Sequence, residues 1–315
     1  MRNTVFHLVC PVVQIAALEG DHYRLCFKAP EIAEAARPGQ FVNVRFPGGI
    51  AQPRAFDSPA EAARFHHEQG PPEQPFLLAR PFGVHRTTPD GCVEILFKAL
   101  GRGTRLLAQA HPGAKLDVLG PIGNGFDLSS PPPTALLVAG GTGIAPLYLL
   151  AQRLHEAGSD LVVLVGTGHA LPMTVSDSEQ VVHFLDQDVT AVIDEYVELG
   201  AIVRIATVEP RPGCLTGTAV DLLRCYLEAA GAEALAGAGM FSCGPWAMQA
   251  AVAEIAAEYR IPCKVLLEER MGCGLGACMA CVVKVKNAAG RYVNKRVCVD
   301  GPVFDAAEIG WKERK

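Results

Sequence analysis

The segment TALLVAGGTGIAPLYLLA, residues 134–151, decides how this chain must be organised. It is long and apolar enough to suggest a membrane span, but Gly140, Gly141, Gly143 and Pro146 would break a helix exposed to lipid. It is better explained as a buried strand (135–139), a glycine turn and a helix (145–157). Glycines keep side chains clear of the mouth of such a turn, and the amides of the following helix face the same point, an arrangement that accepts a pyrophosphate. Gly140, Gly141, Thr142, Gly143 and Pro146 are therefore candidate nucleotide contacts. A plain tight turn is the alternative, because a full G-x-G-x-x-G is absent.

Towards the C-terminus, strands at 161–166, 202–207 and 239–242 alternate with helical stretches at 186–199, 219–228 and 247–259, which predicts a doubly wound parallel α/β domain over 131–262. Phe241-Ser242-Cys243-Gly244-Pro245 closes a later strand, and the carboxyl ends of parallel strands are where such sheets bind ligands. Cys243, Gly244 and Pro245 then border the same crevice. The Cys243 thiol would touch a nicotinamide there or would pack as a small core residue.

Towards the N-terminus, short apolar runs at 5–13, 22–27, 41–46, 76–78, 92–99 and 115–119 are separated by Gly and Pro and predict a closed antiparallel β-barrel over 1–130. Residues 51–74 form a long polar, Pro-rich connection, and Ser129-Ser130-Pro131-Pro132-Pro133 is a stiff linker. Arg80 beside Pro81 suits a diphosphate or is a solvated surface charge. Gly101-Arg102-Gly103-Thr104 predicts a helix start capped by Thr104.

Eleven cysteines are unevenly used. Cys273, Cys278 and Cys281 are spaced C-x4-C-x2-C and Cys298 follows, the plant-type [2Fe–2S] spacing, with Gly272, Gly274 and Gly276 allowing close backbone approach. The alternative is a Cys₄ zinc site, although those usually draw their ligands from two separate C-x₂₋₄-C pairs. Short β segments at 282–286 and 292–297 complete a third module over 263–315. The other seven cysteines are scattered, and no secretory leader is expected in the first residues, so a cytoplasmic address follows. Hydrophobic residues at 50%, charged residues at 19% and a net charge of −5 exclude a disordered chain and give no field for nucleic acid. No membrane association is expected.

The order R-P-F-G (80–83), G-R-G-T (101–104), G-P-I-G-N-G-F (120–126), G-G-T-G-I-A-P (140–146), C-G-P (243–245) and the cysteine run resembles the ferredoxin–NADP reductase superfamily. More narrowly, LEERMGCGLGACMAC (267–281) and CVDGPVF (298–304) resemble the electron-transfer subunits of NAD-dependent dihydroorotate dehydrogenases. This resemblance implies an antiparallel FAD-binding β-barrel, an NAD-binding α/β domain and a small C-terminal [2Fe–2S] domain. It also implies a separate FMN-containing catalytic subunit, a heterotetramer and a place in pyrimidine biosynthesis. FAD would lie on Arg80, Pro81, Phe82, Gly83, Leu96, Phe97, Lys98, Gly103 and Thr104. NAD would dock near Gly140–Pro146 and Cys243–Pro245, and the cluster would hang on Cys273, Cys278, Cys281 and Cys298.

Two departures from the family stand out. Gly83 replaces the Ser of its R-P-x-S motif, and 51–74 and 169–194 are apparent insertions. A flavin converts two-electron hydride transfer into single-electron steps, so no general acid or base is expected in this chain. His66, His67 and His85 are unassigned. NAD is favoured over NADP because Thr167-Gly168-His169 lacks an Arg, although Arg204 or Arg211 would be near enough to supply one. The rival functions are a reductase subunit of a hydrogenase, sulfide or ferredoxin system, and a non-catalytic redox-sensing or zinc-stabilised interaction protein.

Overall fold

The computed structural model describes residues 4–45, 54–56, 58 and 79–313. The expected strand at 76–78, His66 and His67, and most of 51–74 lie outside them. Among the described residues no helix is long and apolar enough to cross a membrane.

The N-terminal domain is an antiparallel sheet ordered Arg80–Gly83, Phe41–Arg45, Lys115–Ile122, Val5–Leu18, His22–Lys28, Cys92–Lys98, Arg86–Thr87. Val5–Leu18 runs through both halves. Residues 6–11 pair with Lys115–Ile122 and 12–18 with His22–Lys28, and the change of partner falls at a register irregularity between Val12 and Gln14, where a bulge bends the strand. Two consecutive residues close the seam: the Val84 amide donates to the Gln40 carbonyl and the His85 amide to the Glu94 carbonyl, so the chain itself bridges the two edges. Leu25, Phe27, Ile32, Val42, Ile95 and Leu116 fill the interior.

The second domain is a parallel sheet ordered Leu215–Thr216, Ile202–Thr207, Asp160–Thr167, Thr134–Gly140, Gly239–Cys243, Cys263–Leu266, with Val303–Asp305 antiparallel at the edge. Because side chains alternate along a strand, Leu136 and Val138 pack with the helix faces of Ala219–Ala234 and Trp246–Glu258. Ala135, Leu137 and Ala139 pack instead with Tyr148–Glu156. Both faces are covered, as a doubly wound sheet requires.

Three expectations are corrected. The helix at 186–199 is confined to Asp194–Val197, because Ala191–Ile193 is instead a wholly buried strand paired with Val175–Asp177. Thr104 is not the N-cap: the helix Arg102–Leu107 starts from Gly101, and the Thr104 hydroxyl accepts from the Gly101 amide at 3.1 Å. The boundary at 262/263 falls just before Cys263–Leu266, a strand of the central sheet, so the cluster-bearing chain leaves that sheet only after residue 266.

The segment at 191–197 fastens the two large domains together. Glu195 reaches the barrel, ion-pairing with Arg24 and lying within hydrogen-bond distance of His85 Nε2 at 3.2 Å. His85 Nδ1 donates to the Ala145 carbonyl at 2.8 Å, its ring stacks on Tyr148, and the Tyr196 hydroxyl donates to the Ile144 carbonyl at 2.8 Å. Burial pushes the Glu195 carboxyl up, but hydrogen bonds and charge from His85 and Arg24 outweigh it and hold the group down to about 2. A depressed carboxylate stabilises the fold above its unfolded value and loses that contribution as pH falls through the folded one. Glu195→Gln should therefore cost at most about 3 kcal/mol at neutral pH. The gap from wild type should close between about pH 4.5 and 2, as urea unfolding across pH would measure.

Candidate functional site

The chain crosses from one half of the parallel sheet to the other between Thr134–Gly140 and Gly239–Cys243, and a crevice opens at their carboxyl ends. The two loops touch backbone to backbone there. A Cβ on Gly143 would lie 2.5 Å from the Cys243 carbonyl oxygen, and one on Gly140 would lie 2.4 Å from Pro245 Cδ. Gly141, at φ +53°, faces open space. Two of the three glycines thus serve loop packing, and Gly141 opens the turn to a ligand.

In front of them lies a cavity of about 840 Å³, lined by Gly140, Gly141, Thr142, Gly143, Thr218, Gly244 and Pro245 among others. Leu100 and Val208, 71% and 67% exposed, also line it. Large apolar side chains left open inside a cleft are what a bound planar ligand would cover. Cys243 is fully buried at the end of its strand, and burial pushes its thiol well above the usual range. Its side chain belongs to the core beneath the crevice.

A second cavity of about 450 Å³ lies between the domains. The barrel supplies Pro81, Phe82, Gly83, Leu96, Phe97 and Lys98, the glycine turn supplies Ala145 and Pro146, and the wall opposite runs from Leu266 to Met271. Phe82 packs on Phe97 at 5.5 Å between ring centroids. Arg80 lies outside this lining but beside Gly103, whose Cβ position would be 3.4 Å from Arg80 Nε. Two motifs far apart in sequence therefore meet at the edge of the slot. Gly83 is constrained: a Cβ there would lie 2.7 Å from Pro146 Cβ.

The two cavities share Lys98, Leu100, Thr142, Leu267 and Glu268. Glu268 is exposed where the two cavities meet, and the protein packed around it pushes its carboxyl above the ordinary range. Neither Glu268 nor Leu100 stands out in the sequence as a site residue; they lie two residues beyond the strands Cys263–Leu266 and Cys92–Lys98 respectively.

The neighbouring arginines resolve differently. Arg204 is 1% exposed and donates to the carbonyls of Val203 and Gln180, so it is not available to a nucleotide. Arg211 lines a smaller pocket that adjoins the large cavity through Thr167, His169 and Ala170.

The four clustered cysteines follow along the chain from Met271, where this segment's lining of the second cavity ends. They approach as two pairs, Cys273 with Cys278 and Cys281 with Cys298, each pair within hydrogen-bonding reach. Among the described residues no three His, Cys, Asp or Glu converge as a single-ion site requires. Paired thiolates are the donor set of a two-iron cluster, and the residues fit it. Backbone amides aim at the sulfurs. The Leu275 amide donates to Cys273 Sγ at 3.3 Å, and an amide bond from Ala280 leads the effects that lower the Cys278 thiol. The bond with Cys298 leads those that bring Cys281 down to about 6, and the same contact pushes Cys298 up. Cys278 is exposed, whereas Cys281 and Cys298 are buried. Elsewhere, burial raises Cys10, Cys26 and Cys263 to about 12, as inert core thiols.

Comparison with known proteins agrees with this geometry. Residues 268–310 match the iron-sulfur cluster binding domain of dihydroorotate dehydrogenase B. The chain is 31% identical over 304 residues to the dihydroorotate dehydrogenase B (NAD(+)) electron transfer subunit of Desulforamulus reducens, covering 96% of this chain and 97% of that protein. It is 34% identical over 293 residues to the subunit of the same name from Bacillus caldolyticus, covering 91% and 92%. Among solved structures, an NADH-dependent reduced ferredoxin-NADP oxidoreductase studied for flavin-based electron bifurcation superposes with a TM-score of 0.69 at 25% identity, over 97% of this chain and 91% of that one. A Neisseria gonorrhoeae ferredoxin NADP+ reductase with bound FAD and NADP shares the fold, with a TM-score of 0.53 at 13% identity over 81% and 91%. The chain therefore belongs to the family of electron-transfer subunits of NAD-dependent dihydroorotate dehydrogenase B.

Proposed function

We propose that this chain carries electrons between a separate FMN-containing dihydroorotate dehydrogenase catalytic subunit and NAD, using its own [2Fe–2S] cluster and FAD. The observation that carries the proposal is the continuity of the site: the large cavity opens into the slot through Lys98 and Glu268, and the slot ends at Met271, two residues before Cys273. When bound, the flavin would supply hydride exchange with the nicotinamide and single-electron exchange with the cluster.

The chain's own residues position and shield. Pro81, Phe82, Gly83, Leu96, Phe97 and Lys98 would hold the flavin ring, with Arg80, Gly103 and Thr104 towards its diphosphate. Gly140, Gly141, Thr142, Gly143 and Pro146 would receive the pyrophosphate of NAD, beside Gly244 and Pro245, with Cys243 shaping the floor from below. Cys273 and Cys278 would hold one iron, and Cys281 and Cys298 the other. The exposed Cys278 puts that end of the cluster nearest a partner. A heterotetramer of two such chains with two catalytic subunits, a cytoplasmic location, and domains at 1–130, 131–262 and 263–315 belong to the same proposal, the last with Cys263–Leu266 lent to the central sheet.

An anaerobic visible spectrum of the chain co-purified with its catalytic subunit tests the relay. Flavin and iron-sulfur bands should bleach with NADH and, separately, with dihydroorotate. Bleaching by NADH alone would move the chain to another acceptor, and absence of both bands after reconstitution would overturn the proposal.

Cys278→Ala should lose the cluster and partner-dependent turnover while NADH still reduces a dye through FAD. Loss of dye reduction with FAD still bound would contradict separate steps.

Gly83→Ser, which restores the family residue, should force Pro146 away. Flavin affinity should weaken by about tenfold, measured as FAD retained on dilution.

A further inference from the structure

A side chain of the barrel strand next to Arg80–Gly83 reaches the cysteine loop. Asn43 lies in the barrel strand Phe41–Arg45, which pairs with Arg80–Gly83 so that Asn43 is opposite Pro81. Its side chain reaches the cluster loop, where Nδ2 donates to the Cys273 carbonyl at 3.2 Å. Asn43 is 5% exposed, and its Oδ1 has no hydrogen-bond partner among the described residues. Gly274 is shaped to receive it: at φ +70°, a Cβ on Gly274 would lie 2.0 Å from Asn43 Nδ2. A buried amide with one unsatisfied end is costly, and a leucine of the same branched shape would avoid that cost. The donor end alone justifies an asparagine here.

We propose that Asn43 is a positioning residue that locks the cluster-ligating loop onto the flavin barrel, fixing the orientation of Cys273 and the separation between flavin slot and cluster. This rests on the electron-relay function above. A hydrogen bond to the backbone of a ligating residue sets that ligand's geometry, and removing such an outer partner commonly costs 10-fold or more in metal retention or activity. The bond also spans two parts of the chain 230 residues apart, so it works as a strut between modules.

The test uses the chain co-purified with its catalytic subunit, in wild-type and Asn43→Leu forms with FAD and iron quantified. Three readouts are taken: the EPR spectrum of the dithionite-reduced cluster, the rate of iron release to a chelator, and stopped-flow bleaching by NADH at flavin and cluster wavelengths. In Asn43→Leu the g-values should shift, iron release should accelerate by about tenfold and cluster bleaching should lag flavin bleaching by a similar factor. The flavin step itself should keep its wild-type rate. Unchanged g-values, iron release and cluster bleaching would overturn the proposal.

Should Asn43→Leu fail to accumulate, Gly274→Ala attacks the same contact from the other side and must give the same signature. In that background Asn43→Ala should relieve the crowding without restoring the spectrum, because the donor to the Cys273 carbonyl is gone, and full restoration would also overturn the proposal. Wild-type protein that forms no iron-sulfur cluster on reconstitution would remove the electron-relay function. A normal wild type with indistinguishable variants would remove only the role of Asn43.

Discussion

Backbone-to-backbone contact between the loops that follow Thr134–Gly140 and Gly239–Cys243 sets the position of everything functional in this molecule. Side chains at Gly140 or Gly143 would push the loops apart, and the crevice would lose its floor. The same glycine turn continues into Ala145 and Pro146, which form one wall of the flavin-sized slot. Its carbonyls at Ile144 and Ala145 are held by Tyr196 and His85. One turn of chain thus borders both cavities, and its rigidity is supplied from two other elements.

The C-terminal module is built into this arrangement and is not hung from it. Cys281, Val283, Val285, Val297, Cys298 and Phe304 share a hydrophobic core with the helices of the α/β domain. On the other side, Asn124 of the barrel donates to the Asp300 and Val303 carbonyls and accepts from the Val303 amide. The Trp246 ring nitrogen donates to the Trp311 carbonyl at 3.0 Å. A module gripped by both neighbours keeps its sulfurs at a fixed separation from the slot, which a relay of single electrons needs and a flexible tether would not give.

Local features were legible in the sequence where a short stretch specifies its own geometry. The glycine turn at 140–146, the spacing of the four cysteines and the alternation of strands and helices after residue 134 each depend on neighbours along the chain. Features that depend on distant partners were not legible. Ala191–Ile193 lies in a stretch that fits a helix, and its pairing with Val175–Asp177 makes it a strand. Thr104 is an ordinary capping residue by type, and only the position of Gly101 moves it to the third helical place. Cys263–Leu266 looked like the start of a new module because its sheet partner lies upstream, at Gly239–Cys243. Asn43 carries no local pattern, and Glu268, although inside the 267–281 motif, gains its place from the barrel and glycine-turn residues packed around it.

The strand Val5–Leu18 has a consequence for how the barrel comes apart. One continuous strand pairs with Lys115–Ile122 through its first half and with His22–Lys28 through its second, so it ties the two half-sheets together. Its loss would leave Lys115–Ile122 and His22–Lys28 each without a partner along one edge, so the two half-sheets depend on the same short stretch of chain.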